Sequence, residues 1–112
     1  MLPRGNRINR GDEFRAVMRR GRRVASDRIV MHARQLDDGP ARMGFVVGKT
    51  VGNAVTRNRV RRRLRELGRH ALPALPEHTG VVVRALPPSA DASWTQLSED
   101  FSSLLRRSGA AS

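Results

Sequence analysis

The chain has 112 residues, the size of one domain, and a formal net charge of +12 that is extreme for this length. It contains no cysteine, which excludes disulfides, thiolate zinc sites and a cysteine nucleophile. Its 22 basic residues favour a polyanionic partner such as RNA or DNA, because a strong positive field speeds encounter with phosphate backbones.

The first half of the chain predicts one helix and two strands. We expect a helix over residues 11–20, with two acidic residues in its first turn, where the helix dipole favours them. Alternating apolar and polar residues predict strands over residues 23–35 and 42–47. The turn sequence Asp-Asp-Gly-Pro at residues 37–40 separates them. The two strands are therefore expected to form an antiparallel hairpin.

The second half predicts a long helix, a short strand and a final helix. The long helix is expected over residues 55–70, and its apolar stripe consists of Val60, Leu64, Leu67 and Ala71. The valine-rich segment 81–86 predicts a buried strand, which two prolines close. The final helix is expected to begin near Ser93, because Ser93 and Gln96 have the spacing of a capping box. Trp94 and Phe101 are expected in its core stripe.

The element order α-β-β-α-β-α predicts an α+β fold, an α-β sandwich in which one small sheet is packed with helices. We interpret residues 1–112 as a single RNA-binding domain and expect residues 1–10 and 108–112 to be flexible. There is no run of about 18 apolar residues and no apolar segment typical of a secretory signal. We therefore expect a cytoplasmic protein that has no membrane partner.

The most informative segment is KTVGNAVTRNRVRRRLR, residues 49–65. Its arginines would divide between the two flanks of the apolar stripe, with Arg57, Arg61 and Arg65 on one and Arg59 and Arg63 on the other. Like charges four residues apart destabilise a helix by roughly 0.2–0.5 kcal/mol per pair. A helix that carries this cost suits a nucleic-acid partner better than it suits a simple solvated surface, which would mix charges of both signs.

Other segments keep both a structural and a functional interpretation. Gly52-Asn53 has ordinary turn chemistry, but with Lys49 and Arg57 it could also bind a phosphate at a helix N-terminus. The segment GFVVGKT at residues 44–50 is one residue short of a phosphate-binding loop, which argues against nucleotide hydrolysis. The histidines lack metal-ligand spacing, and the carboxylates form no acid–base pair.

A family resemblance rests on GKTVGNAVTRNRVRR, residues 48–62. This run resembles the signature K-x-x-G-N-A-V-x-R-N-R-[VI]-[KR]-R of the bacterial ribonuclease P protein subunit. The segment from Arg7 to Phe14 is similar to the family's opening R-L-x-x-x-x-[DE]-F. The valine-rich strand and the final helix match in order and spacing, so the resemblance covers almost the whole chain.

The resemblance implies a fold and a function. The fold would include a left-handed βαβ crossover around the arginine helix. The protein would be a subunit of an endoribonuclease that removes the 5′ leader from precursor tRNA. The RNA subunit would carry the chemistry and hold Mg²⁺, while the protein alone would bind no cofactor and cleave nothing. The implied partners are the catalytic RNA and precursor tRNA, with no obligate protein partner. The alternative is a generic basic ribosomal or nucleoid protein without a processing role, which composition alone would favour.

The resemblance also implies two sets of site residues and no catalytic or metal-binding residue. The residues expected to bind the catalytic RNA are Lys49, Asn53, Arg57, Asn58, Arg59, Arg61, Arg62 and Arg65. The leader is expected between the first helix and the sheet, against Phe14, Met18, His32 and Arg34. Met18 and His32 stand where other members often have aromatic residues. Methionine still supplies an apolar contact there, and histidine can stack on a base. From the residues alone, core packing is the default interpretation of Phe14 and Met18, and His32 is read first as an ordinary surface or core histidine.

Overall fold

The computed structural model describes residues 2–111 of the chain. In this part, the helices are α1 (Gly11–Arg20), α2 (Ala54–Ala71) and α3 (Trp94–Ser108). The strands are β1 (Arg22–Ala25), β2 (Ile29–Gln35), β3 (Arg42–Val46) and β4 (Thr79–Ala85). The predicted α+β class is confirmed. The predicted element order holds as well, except that a turn at residues 26–28 divides the first predicted strand into β1 and β2.

The four strands form one sheet in the order β1-β2-β4-β3. β4 pairs antiparallel with β2 and parallel with β3. The predicted hairpin between residues 23–35 and 42–47 is therefore wrong, because β4 lies between β2 and β3. The physical reason is burial: Val81, Val82 and Val83 of β4 are 0% exposed. An apolar run of this kind is buried best in the middle of a sheet with both faces covered.

The connection from β3 to β4 runs through α2, which makes a βαβ unit. The left-handedness of this crossover stays a prediction of the family resemblance. The placement of β4 matters for function, because it brings α2 across one side of the sheet. The helix predicted over residues 55–70 is confirmed as α2, which extends one residue further at each end, from Ala54 to Ala71.

Helices cover both faces of the sheet. A Cβ atom at Gly68 of α2 would lie 2.8 Å from Phe45 Cζ, so α2 packs on the face to which Phe45 points. A Cβ atom at Gly44 would lie 2.6 Å from Phe14 Cε2 of α1. Because Gly44 and Phe45 are neighbours in β3, they point to opposite faces. α1 and α2 therefore lie on opposite sides of the sheet.

The main core lies between the sheet and the side that carries α2 and α3. The large side chains buried there are Ile29, Met31, Val83, Val60, Leu64, Leu97, Phe101 and Leu104. Each such side chain contributes about 1.5–3 kcal/mol relative to an exposed position. On the opposite face, α1 buries Val17 completely against β4 at Gly80. The apolar stripes predicted for the long and the final helix are thus largely confirmed.

Trp94 is an exception to the predicted core, because it is 42% exposed. The capping box that precedes it is confirmed: the Gln96 N–H donates to Ser93 Oγ at 3.1 Å, and the Ser93 N–H donates to Gln96 Oε1 at 3.0 Å. Trp94 is thus the first residue of α3. A helical side chain leans toward the N-terminus of its helix. The Trp94 side chain therefore leans away from the body of α3, toward solvent, and its periodicity alone was misleading.

Both ends of the described chain make contacts with the fold. Leu2 and Ala110 are buried. The Ile8 N–H donates to the Met43 carbonyl at 2.9 Å, which places the N-terminal segment along β3. The expected flexibility of residues 1–10 and 108–112 stays a prediction, and Met1 and Ser112 lie outside the described residues. Within residues 2–111, no helix is long and apolar enough to cross a membrane.

Candidate nucleic-acid interface

The turn that leads into α2 is built by Gly52 and Asn53. Gly52 has a φ of 155°, a conformation that side chains rarely adopt, and a Cβ atom there would meet Thr56 Cγ2 at 3.0 Å. The Thr56 N–H donates to Asn53 Oδ1 at 2.9 Å, so Asn53 caps the helix. Lys49 is exposed in the short 3₁₀ turn Lys49–Val51 just before it. The geometry accounts for Gly52-Asn53 as turn chemistry, and phosphate binding at this turn stays a prediction.

One arginine flank of α2 is tied to the protein itself. Arg59 Nη2 donates to the Ala90 carbonyl at 2.8 Å, and Arg63 Nη1 donates to the Ala92 carbonyl at 2.9 Å. These bonds join α2 to the 3₁₀ turn Pro87–Asp91 and to the residue that follows it. Arg59 Nε is buried and has no hydrogen-bond partner. Through its hydrogen bond to the Ala90 carbonyl, Arg59 stabilises the packing of α2 against this turn.

The other flank is only partly engaged. Arg61 Nη1 donates to Asn58 Oδ1 at 2.9 Å, and Arg61 Nη2 makes a long contact of 3.4 Å with the Val47 carbonyl. Arg57 is half-buried, and its Nε is buried without a partner. Arg62 and Arg65 are exposed. Solvent-facing cations of this kind suit phosphate groups, which accept hydrogen bonds from arginine in a bidentate fork.

We call the eight predicted RNA-contacting residues the α2 surface: Lys49, Asn53, Arg57, Asn58, Arg59, Arg61, Arg62 and Arg65. The structure brings them together on α2 and the turn before it. Five are exposed and three are half-buried, namely Arg57, Arg59 and Arg61. Val55, in the first turn of α2, is 75% exposed, and the sequence analysis did not predict an exposed apolar side chain there. Its signal in the sequence is an apolar residue that falls outside the helix's apolar stripe.

The predicted leader residues lie on the other side of the sheet. Strand pairing puts His32 of β2, Val82 of β4 and Gly44 of β3 in one row. Phe14 of α1 lies against Gly44 in that row. Arg34 is two residues beyond His32 on the same strand, and Met18 is one turn beyond Phe14 on α1. The structure thus gathers Phe14, Met18, His32 and Arg34 on one side, and we call this set the sheet face.

His32 is the unusual member of the sheet face. It is only 8% exposed, and its Nδ1 is buried without a hydrogen-bond partner. Burial lowers the pKa of His32 below its usual value, and repulsion by Arg23 and Arg84 lowers it further. The ring is therefore neutral near pH 7. Arg23 is the β1 partner of His32, and Arg84 of β4 pairs with Val30, two residues away.

Sequence reasoning did not assign Arg23 and Arg84 to this face. Only the strand register reveals that they flank His32, because the two arginines lie on β1 and β4, the two strands that pair with β2. Arg23 and Arg84 are both exposed. The sheet face is therefore an apolar floor with a neutral histidine and with cations at its sides.

An ion pair holds α1 over this face. Arg42 Nε and Nη2 of β3 donate to Glu13 Oε1 and Oε2, each at 2.9 Å, so the pair is bidentate and largely buried. The hydrogen bond with Glu13 raises the pKa of Arg42. Because Glu13 immediately precedes Phe14, the pair fixes the start of α1 beside Gly44. Within residues 2–111, no three metal-ligating side chains are grouped to hold an ion.

Comparison with known proteins gives a consistent result. The family model described as Ribonuclease P matches residues 2–109. The ribonuclease P protein component of Beutenbergia cavernae is 51% identical over 110 residues, which covers 97% of this chain and 92% of the relative. That of Acidothermus cellulolyticus is 49% identical and covers 96% of this chain and 91% of the relative. The structure of the Staphylococcus aureus RNase P protein is 25% identical, with a TM-score of 0.84 over 96% of this chain and 98% of that one.

Proposed function

This chain belongs to the ribonuclease P protein family, and from that membership we propose that it binds two RNAs on two separate surfaces. The chain is the protein subunit of an endoribonuclease of tRNA processing. The generic ribosomal or nucleoid binding protein that composition alone favours is not supported by these relatives. We assign the α2 surface to the catalytic RNA and the sheet face to the 5′ leader of precursor tRNA.

The assignment of the α2 surface is supported by its charge and exposure. Lys49, Arg62 and Arg65 present cations to solvent within one continuous stretch of chain. A folded RNA offers phosphates at many spacings, and its affinity for such a surface falls as salt rises. The binding would be positional, because these cations neutralise phosphates and fix the register of the protein on the RNA.

The assignment of the sheet face is supported by its shape and polarity. A single-stranded leader has unstacked bases, which bind on aromatic or apolar side chains such as Phe14 and Met18. The neutral His32 ring offers a further flat surface, and Arg34 is close enough along the strand to reach the backbone of the same leader. A mature tRNA has no leader to place there. The protein would therefore raise the affinity for precursor over product.

We propose that the RNA subunit carries out the hydrolysis and holds Mg²⁺, and that the protein alone is not catalytic. The exposed arginines and the aromatic Phe14 support this division, since their chemistry is that of phosphate binding and base stacking. No protein partner is required in this scheme. Because its substrate is precursor tRNA, we propose the cytoplasm as its location.

The main observation behind the proposal is the α2 surface, because the residues of the family signature lie together on a largely exposed basic helix and the turn before it. The test is processing of a precursor tRNA by the catalytic RNA at low Mg²⁺, with and without this chain. We expect the chain to lower the Mg²⁺ concentration that processing needs, because its arginines replace counterions between the two RNAs. If the RNA's activity at low Mg²⁺ is unchanged by the protein, the proposal is wrong.

A further inference from the structure

Two large apolar side chains are exposed in the part of the chain that the structure describes. They are Val55, which is 75% exposed, and Trp94, which is 42% exposed. An exposed tryptophan is a common feature of binding surfaces, because its flat apolar ring gains free energy when a partner buries it. Neither the α2 surface nor the sheet face includes these two residues, so the function proposed above leaves them unexplained.

The position of Trp94 on α3 determines which side of the molecule it faces. Trp94 is three residues before Leu97 and seven before Phe101, so it continues their stripe along the helix. Leu97 and Phe101 are buried in the main core, on the side of the sheet that carries α2. Trp94 is the first residue of α3, and its ring extends past the end of that core. It therefore lies between the start of α3 and α2, on the side opposite the sheet face.

Two arginines of α2 hold the start of α3 in place. Arg59 Nη2 donates to the Ala90 carbonyl at 2.8 Å, and Arg63 Nη1 donates to the Ala92 carbonyl at 2.9 Å. Ala92 is only two residues before Trp94, so the Cα atoms of the two residues are at most about 7 Å apart. The same hydrogen bonds that join α3 to α2 therefore place Trp94 beside the arginine flank of α2.

Val55 belongs to the same flank of α2. It is four residues before Arg59 and seven before Arg62, a spacing that places the three side chains along one face of the helix. Arg62 is exposed, and Arg59 Nε has no hydrogen-bond partner among the described residues. We call Val55, Arg59, Arg62 and Trp94 the α2–α3 patch. It combines the two exposed apolar side chains with two guanidinium groups that keep donors free.

The chemistry of the patch fits RNA better than it fits a protein. A flat indole ring stacks on a nucleic-acid base, and a neighbouring arginine binds the phosphate of the same strand. Asp91, which is exposed in the turn before α3, supplies one negative charge against the two arginines of the patch. An apolar protein surface would bury these guanidinium groups without an anionic partner, which is costly.

We propose that Trp94 stacks on an unpaired base of the catalytic RNA, with Val55 against the same nucleotide and Arg62 at an adjoining phosphate. The proposal rests on the function proposed above, since it needs the catalytic RNA on the α2 surface. Arg59 and Arg63 are positioning residues for this contact, because they fix the start of α3. The leader is assigned to the sheet face on the other side of the sheet, away from Trp94.

Fluorescence provides a direct test, because Trp94 is the only tryptophan in the chain and there is no tyrosine. The full chain is titrated with the catalytic RNA, and the access of acrylamide to the indole is measured by quenching. We expect the RNA to quench the emission of Trp94 and to protect the remaining emission from acrylamide. Precursor tRNA added to the assembled holoenzyme should change neither quantity further.

Binding measurements separate stacking from charge. Trp94→Ala should weaken binding of the catalytic RNA by about 5- to 150-fold, the range that stacking on one base provides. Its salt slope should equal that of the wild type, because a lost stack releases no counterions. Trp94→Phe keeps an aromatic ring and should lose less affinity than Trp94→Ala.

The matched control is Thr95→Ala, which changes the next exposed residue of α3 outside the stripe of Leu97 and Phe101. It should leave the affinity for the catalytic RNA unchanged. Circular dichroism during urea denaturation shows whether each variant keeps its fold, and it does not depend on the tryptophan.

Three results would overturn the proposal. In the first, the catalytic RNA binds and Trp94 remains fully open to acrylamide. In the second, protection appears only when precursor tRNA is added, which would assign Trp94 to the substrate. In the third, protection without RNA rises with protein concentration, which would assign the patch to a contact between copies of the chain. The function proposed above survives each result if Arg62→Ala still weakens binding of the catalytic RNA, whereas a chain that does not bind this RNA at all would refute that function.

Discussion

The α2 surface and the sheet face lie on opposite sides of one sheet, and they are built in different ways. The α2 surface comes from one continuous segment, residues 49–65, and most of its side chains face solvent. The sheet face comes from α1 and β2, with arginines from β1 and β4 beside it, and its centre is buried. Exposed arginines provide salt-sensitive affinity, whereas half-buried rings provide contact with bases. Under the proposed function, one small domain would therefore recognise a folded RNA and a single strand through different interactions.

A second contrast lies within α2. Arg59 and Arg63 donate to the main-chain carbonyls of Ala90 and Ala92, which lie just before α3, whereas Arg62 is exposed to solvent. Residues of the same type, next to each other in the sequence, thus lie in different environments. The tied arginines fix the angle between α2 and the start of α3, and the free ones remain available for phosphates.

The largest effect is expected for the tied arginine. Arg59→Ala should lower the free energy of unfolding by about 1.5–3 kcal/mol, because a charged hydrogen bond to the Ala90 carbonyl is lost. Urea denaturation measures this change. Arg62→Ala is the matched control and should alter the unfolding free energy by less than about 0.5 kcal/mol. Equal losses in the two variants would remove the distinction between tied and free arginines.

The next largest effect separates the two surfaces. Phe14→Ala should reduce the preference for leader-bearing precursor over mature tRNA by about 1–3 kcal/mol, because one stacking ring is removed from the sheet face. Competitive binding to the holoenzyme measures this preference. The affinity of the protein for the catalytic RNA should stay the same. A parallel loss of that affinity would mean that the sheet face and the α2 surface act as a single site.

A smaller effect concerns electrostatics. Arg62→Ala should weaken binding to the catalytic RNA and reduce the magnitude of its salt slope by about 1, the value expected for one lost phosphate contact. Binding measured at several salt concentrations gives this slope. The preference for precursor over mature tRNA should not change. An unchanged salt slope would exclude Arg62 from the interface.

The smallest effect concerns pH. The pKa of His32 is lower in the folded protein than in the unfolded chain, so the unfolded state binds more protons below about pH 6.5. Stability contributed by neutral His32 is therefore present above that pH and is lost as the pH falls below it. The unfolding free energy should decline from pH 7.5 to 5.5, and His32→Phe should decline less. An identical decline in both proteins would show that His32 is not the group responsible.

Parts of this arrangement could be predicted from sequence, for identifiable reasons. The α2 helix and its arginine flanks follow from local periodicity, and the Asn53 cap follows from the residue type at a helix start. The position of β4 between β2 and β3 could not be found locally, because it depends on burying Val81, Val82 and Val83 among residues distant in sequence. A strong turn sequence at residues 37–40 instead suggested a hairpin that long-range packing overrides.

In the functional sites too, the sequence predicts what is local and does not predict contacts between distant residues. Residues expected to bind the catalytic RNA form a single linear run, so the sequence already groups them. The Arg59 and Arg63 bonds to the carbonyls of Ala90 and Ala92 connect residues 31 and 29 positions apart, and no sequence pattern indicates them. Arg23 and Arg84 beside His32 emerge only from the strand register.

Site-specific cross-linking tests the two-surface account most directly, and the absence of cysteine from the sequence makes it practical. A single photoreactive label would be attached through Asn58→Cys on the α2 surface or through Met18→Cys on the sheet face, in the holoenzyme bound to precursor tRNA. We predict that the label at position 58 cross-links to the catalytic RNA and that the label at position 18 cross-links to the leader. Cross-links from both positions to the same RNA would contradict the account.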